Sequence, residues 1–331
     1  MRSLTGIPNC CIARFVCSVV LVLAFTCQGG EQVQYIPGSR YYGRNEYIEY
    51  TAGNAPVILT APHGGGLTPS EIPDRTWGTM ATDRNTAALA YSFVEAFHKI
   101  TGLYPHVVLC HLKRTKFDAN RDIGEAAQGN PWAEQAWREW HGFIDIAKET
   151  AVRHFGGALY MDLHGHAHAM QRLELGYNIG SSTLALSDEE IGRFKDRSSL
   201  RWLATKAEAD FGEMLRGEAS FGALMEARGF ASVPSPQYPH PDGKPYFSGG
   251  YNTRRHTSQD VGRVSGFQIE CNFRGVRDTS ENRTRAAAAF AESAVIYMAR
   301  HFRIDLTLAQ VDQSEQDVVC EDADLAAAGK D

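Results

Sequence analysis

The sequence predicts an α/β domain, a mostly parallel or mixed central sheet flanked by helices. Short apolar runs alternate with longer amphipathic stretches along the chain. Several of the short runs are apolar throughout, as strands buried on both faces must be. The strand segments are PVILTAP (56–62), HVVLCHL (106–112), ALYMDLHG (158–165), LELGYNIG (173–180) and GFQIECN (266–272). Helices are expected between them at 83–98, 131–154, 200–215 and 281–302. The first opens on Thr82-Asp83, good capping chemistry, and carries Ala88, Tyr91 and Phe97 inside. The second carries Trp132, Trp137 and Trp140. Residues 233–257, rich in proline, glycine and aromatics, read as a long ordered loop.

The 331 residues are 43 % hydrophobic and 22 % charged, the balance of a globular protein able to bury a sizeable core. The net charge of -6 gives no basic footprint for nucleic acid. Arg2 and Arg14 precede the apolar run FVCSVVLVLAF, which is too short to span a bilayer and fits the core of a secretory leader. Residues 1–28 are therefore expected to direct export: periplasmic, secreted or lipid-anchored. Cys27 stands where a bacterial lipoprotein is cleaved and lipidated, although Ala24 replaces the usual aliphatic three residues earlier. Membrane contact is expected only through such an anchor. A single α/β domain is expected over 29–310, followed by an acidic tail over 311–331. Of seven cysteines, Cys10, Cys11, Cys17 and Cys27 fall in the leader. The remaining Cys110, Cys271 and Cys320 are neither a disulfide framework nor a metal knuckle.

In such sheets, sites form at the carboxyl ends of the strands, so the polar residues that close the apolar runs matter most. His63 ends PVILTAP and is followed by Gly64, Gly65 and Gly66, which let the chain turn tightly and a ligand approach. His164, in DLHGHAH, shares a strand face with Asp162, which can accept its second ring N–H. His166 is read as facing substrate or supporting a ligand, and His168 as structural or exposed. A catalytic metal with three protein ligands and an open position needs a carboxylate beside these imidazoles. Asp83 and Glu71 both qualify, and spacing does not choose between them; Asp83 can instead cap a helix. In RTKFDANR, Arg114 and Arg121 suit bidentate grip of a carboxylate, Asn120 adds a directional donor, and Asp118 can hold an arginine in place. In GFQIECN, the polar residues Gln268, Glu270 and Asn272 alternate with Phe267, Ile269 and Cys271. A carboxylate on a central strand suits a general base. The competing readings are a solvated turn, a histidine-rich surface, a basic loop and a wet edge strand.

The stretches APHGGGLTP, TDRNTAALA, RTKFDANR, ALYMDLHG, PYFSGGYNTRRH and GFQIECNFR run from residue 56 to 278 in one order. In that order the chain resembles the N-formylglutamate amidohydrolase family of the zinc carboxypeptidase-like superfamily. The resemblance implies the zinc carboxypeptidase-like (phosphorylase/hydrolase-like) fold and Zn2+ held by His63, His164 and an acid placed at Asp83, with Glu71 in reserve. It implies Glu270 as general base, and Asn120, Arg121 and Arg114 as the carboxylate-gripping region. It also implies a substrate-closing loop carrying Gly249, Gly250, Arg254, Arg255 and His256.

The activity so implied is hydrolysis of the amide of an N-acyl amino acid, N-formylglutamate-like, or of a peptide bearing a free carboxylate. Glu270 serves as base, Arg114 or Arg255 steadies the oxyanion, and Asp118, His166, Gly250 and Arg254 are added to the substrate surface. Export favours a rival within enzymes, a zinc peptidase or amidase acting on γ-glutamyl or cell-wall peptide bonds. A second rival is a non-catalytic binding protein on the same fold.

Overall fold

The structure is a computed structural model and describes residues 34–206, 210–257 and 262–307. The expected leader, with Cys27, and the acidic tail, with Cys320, lie outside the described residues.

Eight strands form one sheet: β1 (Arg40–Tyr42), β2 (Ile48–Thr51), β3 (Val57–Ala61), β4 (His106–Cys110), β5 (Ala158–Gly165), β6 (Leu173–Gly176), β7 (Ser232–Val233) and β8 (Val264–Cys271). Their spatial order is β1-β2-β4-β3-β5-β8-β6-β7. Strands β4, β3, β5 and β8 run parallel and form the centre. The sheet is mixed because β2 joins β4, and β6 joins β8, antiparallel. The five predicted strands are all present. Strands β1, β2 and β7 were not anticipated: they are short, and their extended state comes from pairing with a neighbour rather than from an apolar pattern of their own.

Alternation along the strands divides the core into two layers. Val57, Leu59, Leu159, Met161, Leu163, Phe267 and Ile269 face the helices Thr86–Thr101 and Ser280–Tyr297. Ile58, Val108, Cys110, Ala158 and Tyr160 face the 25-residue helix Pro131–Phe155 through Ala133, Ala136, Trp140, Ile144 and Ala147. That helix starts where the sequence says it should. Pro131 occupies the first turn, and the Asn130 carboxamide accepts the N–H groups of Trp132 and Ala133, both at 3.0 Å.

Two predicted helices are corrected. The first begins at Thr86 rather than at residue 83, behind Asn85 in the left-handed region (φ 69°). Asp83 caps nothing with its side chain, which turns instead toward two histidines. The helix expected over 200–215 is two short ones, Arg201–Lys206 and Phe211–Arg216. The second starts afresh at Asp210, whose carboxylate accepts the Gly212 N–H at 2.6 Å. The long loop expected over 233–257 follows β7, and its end winds into the short helix Tyr251–His256.

Phe93 is 1 % exposed between the Thr86–Thr101 helix and the sheet, with the Phe97 ring 5.7 Å away. Phe93→Ala is expected to lower stability by about 3–5 kcal/mol. Urea unfolding checks this as a fall in midpoint at unchanged slope.

Candidate functional site

Strands β3, β5 and β8 end together, and their carboxyl ends carry the site. His63 lies just past β3, where the Asp83 N–H donates to its carbonyl at 2.9 Å. A side chain on Gly64 would collide with Thr86 and the Ala87 backbone, so glycine here lets the Thr86–Thr101 helix press close and deliver Asp83 to His63. His164 is in register with Glu270 on β8, and Glu270 is in register with Glu174 on β6. Register partners point to the same face, so these three side chains stand in one row.

The Oδ2 atom of Asp83 lies 3.3 Å from Nδ1 of His63 and 3.4 Å from Nδ1 of His164, and it accepts the Gly165 N–H at 3.1 Å. The far side of each ring meets another carboxylate. His63 Nε2 is 2.7 Å from Asp118 Oδ1, and His164 Nε2 is 2.8 Å from Asp162 Oδ2. Asp118 is fixed in turn by the Arg114 guanidinium (Nε to Oδ2, 2.9 Å), and Asp162 by the Thr60 hydroxyl at 2.6 Å. A carboxylate at Nε2 draws the ring proton there and leaves the Nδ1 lone pair free. Two such lone pairs and one carboxylate oxygen lie within 4.8 Å of one another. That donor set, backed by its own acceptors, fits a divalent cation of the kind imidazole and carboxylate bind.

The charges agree with this arrangement. Burial alone would raise the Asp83 carboxyl, but hydrogen bonds and charge from His164 and His63 outweigh it and hold it well below the usual carboxylate range. Burial would lower His164, yet Asp162 and Asp83 carry it to about 10, so without a cation this ring keeps a second proton. Glu270 goes the other way. Burial pushes its carboxyl up to about 8, His164 opposes that, and the carboxylates of Asp83 and Glu174 add to it. Gln268 donates to Glu270 Oε1 at 2.8 Å.

A cavity of about 660 Å³ opens over these groups, lined by His63, Asp83, His164, Glu270, Asn120 and Arg121 among others. A larger hollow of about 760 Å³ around Trp202 and Arg300 contains none of the donors described above.

Neither models of protein families nor characterised protein sequences match the chain. Solved structures do. The chain is similar to an N-formylglutamate amidohydrolase from Ralstonia eutropha JMP134, with 11 % identity over 78 % of this chain and 99 % of that one, at a TM-score of 0.47. It is similar to a gene product of Agrobacterium tumefaciens, with 13 % identity over 76 % and 95 %, at 0.45. It is similar to a succinylglutamate desuccinylase from Chromobacterium violaceum, with 12 % identity over 80 % and 70 %, at 0.35. The chemistry of the site rests on the side chains.

Of the residues singled out from sequence, the fold gathers His63, Asp83, His164, Glu270, Arg114, Asn120, Arg121, His166 and Gly250 around this cavity. Arg121 is braced by Glu125 at 3.0 Å. The Asn120 Oδ1 atom accepts the Asn252 N–H at 2.8 Å, and Gly250 packs against Asn120 and Gln268 with no room for a side chain. His166 has both ring nitrogens engaged. Its Nε2–H donates to the Arg172 carbonyl at 2.8 Å, and its Nδ1 accepts the His168 N–H at 3.1 Å. His166 therefore offers no free ring lone pair to the cluster it forms with His168 and Glu174.

Four assignments are corrected. Glu71 is not at the site: it accepts from Tyr47 and Asn45. Arg254 and Arg255 point away, because the Tyr251–His256 helix buries Asn252, Thr253 and His256 and turns its arginines to solvent. Arg255 lies over the Trp137 ring at 4.9 Å. Asp118 is fully buried behind His63 and does not reach substrate space, though it does hold an arginine. Sequence reasoning missed Glu174 and Arg277, since neither sits in a recognisable pattern.

The Glu270 shift gives a pH dependence. Its folded carboxyl at about 8 lies above the ordinary 4.5, so between those values the native state keeps a proton the unfolded chain has lost. Its contribution is complete below 4.5 and disappears as pH rises through about 8. In metal-free protein, Glu270→Gln is expected to gain roughly 5 °C or more in Tm over wild type between about pH 5 and about pH 9. A Tm difference that stays flat across that range, followed by thermal scanning, removes the buried-carboxyl account.

Proposed function

We propose that the chain is a metal-dependent hydrolase cleaving the amide of an N-acyl amino acid, or of a peptide presenting a free carboxylate, with Glu270 as general base. One observation carries this reading: two carboxylate-backed imidazole lone pairs and the Asp83 oxygen converge beside a buried, in-register glutamate. The ligands are His63 Nδ1, His164 Nδ1 and Asp83. When bound, Zn2+ supplies Lewis-acid polarisation of the scissile carbonyl and brings the pKa of a water toward about 7.

The chain's own groups do the rest. Glu270 takes a proton from the attacking water and delivers it to the departing nitrogen; its desolvation keeps it near the neutral range where a base works best. Gln268 fixes one of its oxygens, and Glu270 lines the cavity. Arg121 and Asn120, braced from behind by Glu125 and Asn252, offer remaining donors to a substrate carboxylate. Arg114, oriented by Asp118, is placed to meet negative charge developing on the carbonyl oxygen. A cavity of about 660 Å³ has room for an N-acyl amino acid or a short peptide. The non-catalytic rival has no use for Glu270 as placed, since a buried carboxyl facing three other acidic or imidazole groups and held by Gln268 is expensive without chemistry.

Protein purified without chelator is expected to hold about one zinc per chain by elemental analysis, lost in His63→Ala. Glu270→Gln is expected to keep the metal while turnover on a panel of N-acyl-glutamates and peptides falls about 10²–10⁴-fold. Undiminished turnover in that variant would remove Glu270 as base, and absent metal would remove the proposal as a whole.

A further inference from the structure

Arg277 is 3 % exposed in the turn Phe273–Arg277 that leaves β8. Arg75, Arg114 and Arg121 each meet a carboxylate, Asp118 or Glu125. Among the described residues, Arg277 does not. Its guanidinium donates to three main-chain carbonyls instead: Nε to Cys271 (3.2 Å), Nη2 to His166 (3.4 Å) and Nη1 to Arg84. Each carbonyl belongs to a different segment, and each segment carries one of the site's groups. Cys271 follows Glu270, Arg84 follows Asp83, and His166 lies two residues after His164.

Two further contacts tighten the same knot. The carbonyl of Arg277 accepts from the Asn85 side chain at 2.8 Å, which pins the chain just beyond Asp83 a second time. The guanidinium groups of Arg277 and Arg84 both lie over the Phe273 ring, 5.4 and 4.7 Å from its centre. A side chain at Gly165, between His164 and His166, would sit on the Arg277 guanidinium, so glycine there is what admits it.

We infer that Arg277 is the positioning residue of the metal centre, one planar cation that sets the spacing of Asp83, His164 and Glu270 by gripping the backbone beside each. An arginine suits the task because its rigid fork presents several donors in a plane, while a lysine offers one point charge. Arg277 lines the edge of the cavity but hydrogen-bonds none of the ligand atoms, and it acts on them through the segments it joins. The inference rests on the metal reading above.

The experiment compares wild type with Arg277→Met and Arg277→Lys. Zn2+ affinity is measured by chelator competition, and the histidine ring nitrogens are followed by NMR in metal-free protein. Arg277→Met is expected to weaken Zn2+ binding about 10–100-fold and to shift the His164 ring resonances, with guanidinium ion restoring part of the affinity. Arg277→Lys should not restore it. His106, buried against Tyr50 at the opposite end of the sheet, should not move and reports that the fold is intact. An affinity within about threefold of wild type overturns the inference, as do unmoved His164 resonances. If Arg277→Met does not fold, Gly165→Ala keeps the arginine but displaces it, and unchanged Zn2+ affinity there has the same consequence. A wild type that binds no Zn2+ removes the metal reading alone; the His164 resonances then decide the positioning role by themselves.

Discussion

A single oxygen, Asp83 Oδ2, stands between the Nδ1 atoms of His63 and His164. The rest of the site is arranged to keep that meeting possible. An imidazole offers its Nδ1 lone pair only while its proton stays at Nε2, and Asp118 and Asp162 hold the protons there. Those two carboxylates are themselves fully buried. They are tolerable because Arg114 and the His63 ring share one, and the Thr60 hydroxyl and the His164 ring share the other. Removing any member would leave a buried polar group one partner short, which is why the cluster behaves as one unit.

The sheet supplies the accuracy this unit requires. Parallel strands β3, β5 and β8 finish at the same edge, so residues far apart in the chain arrive side by side. Strand register sets His164 beside Glu270, and Glu270 beside Glu174. Apolar residues fill the opposite face of the same strands, so a slip of one residue would turn the polar row into the core. One wall of the cavity, carrying Phe247, Gly249 and Gly250, belongs to a segment tied down in the same way. Phe247 N–H donates to Glu174 at 2.9 Å, the Tyr246 hydroxyl donates to the Leu175 carbonyl at 2.6 Å, and Ser248 O accepts from Asn178 N–H at 2.6 Å.

Much of this was legible residue by residue. The central strands showed as runs apolar on both faces, and their ends pointed to His63, His164 and Glu270. The pairing of Asp162 with His164 was readable because alternate residues on a strand share a face. The pairing of Asp118 with His63 was not, since the two are 55 residues apart and meet only when β3 and the segment after β4 are brought together. Arg254 and Arg255 were placed in the site by motif order alone. The short helix that carries them buries its other side, and motif order holds no information about that rotation.

The sequence by itself determined the strand segments, the two imidazoles, the late glutamate and the glycines that leave room around them, because these follow from local period and side-chain chemistry. The resemblance favoured Asp83 and spacing left Glu71 open; tertiary structure decided that Asp83, and not Glu71, lies beside the two imidazoles. That choice depends on the Thr86–Thr101 helix lying against Gly64, a contact between segments that neither segment encodes alone. It also decided the partners of Asp118, Glu174 and Arg277. Hydrogen bonds between distant segments depend on the angle and depth at which the layers pack, and no local pattern in the chain records either.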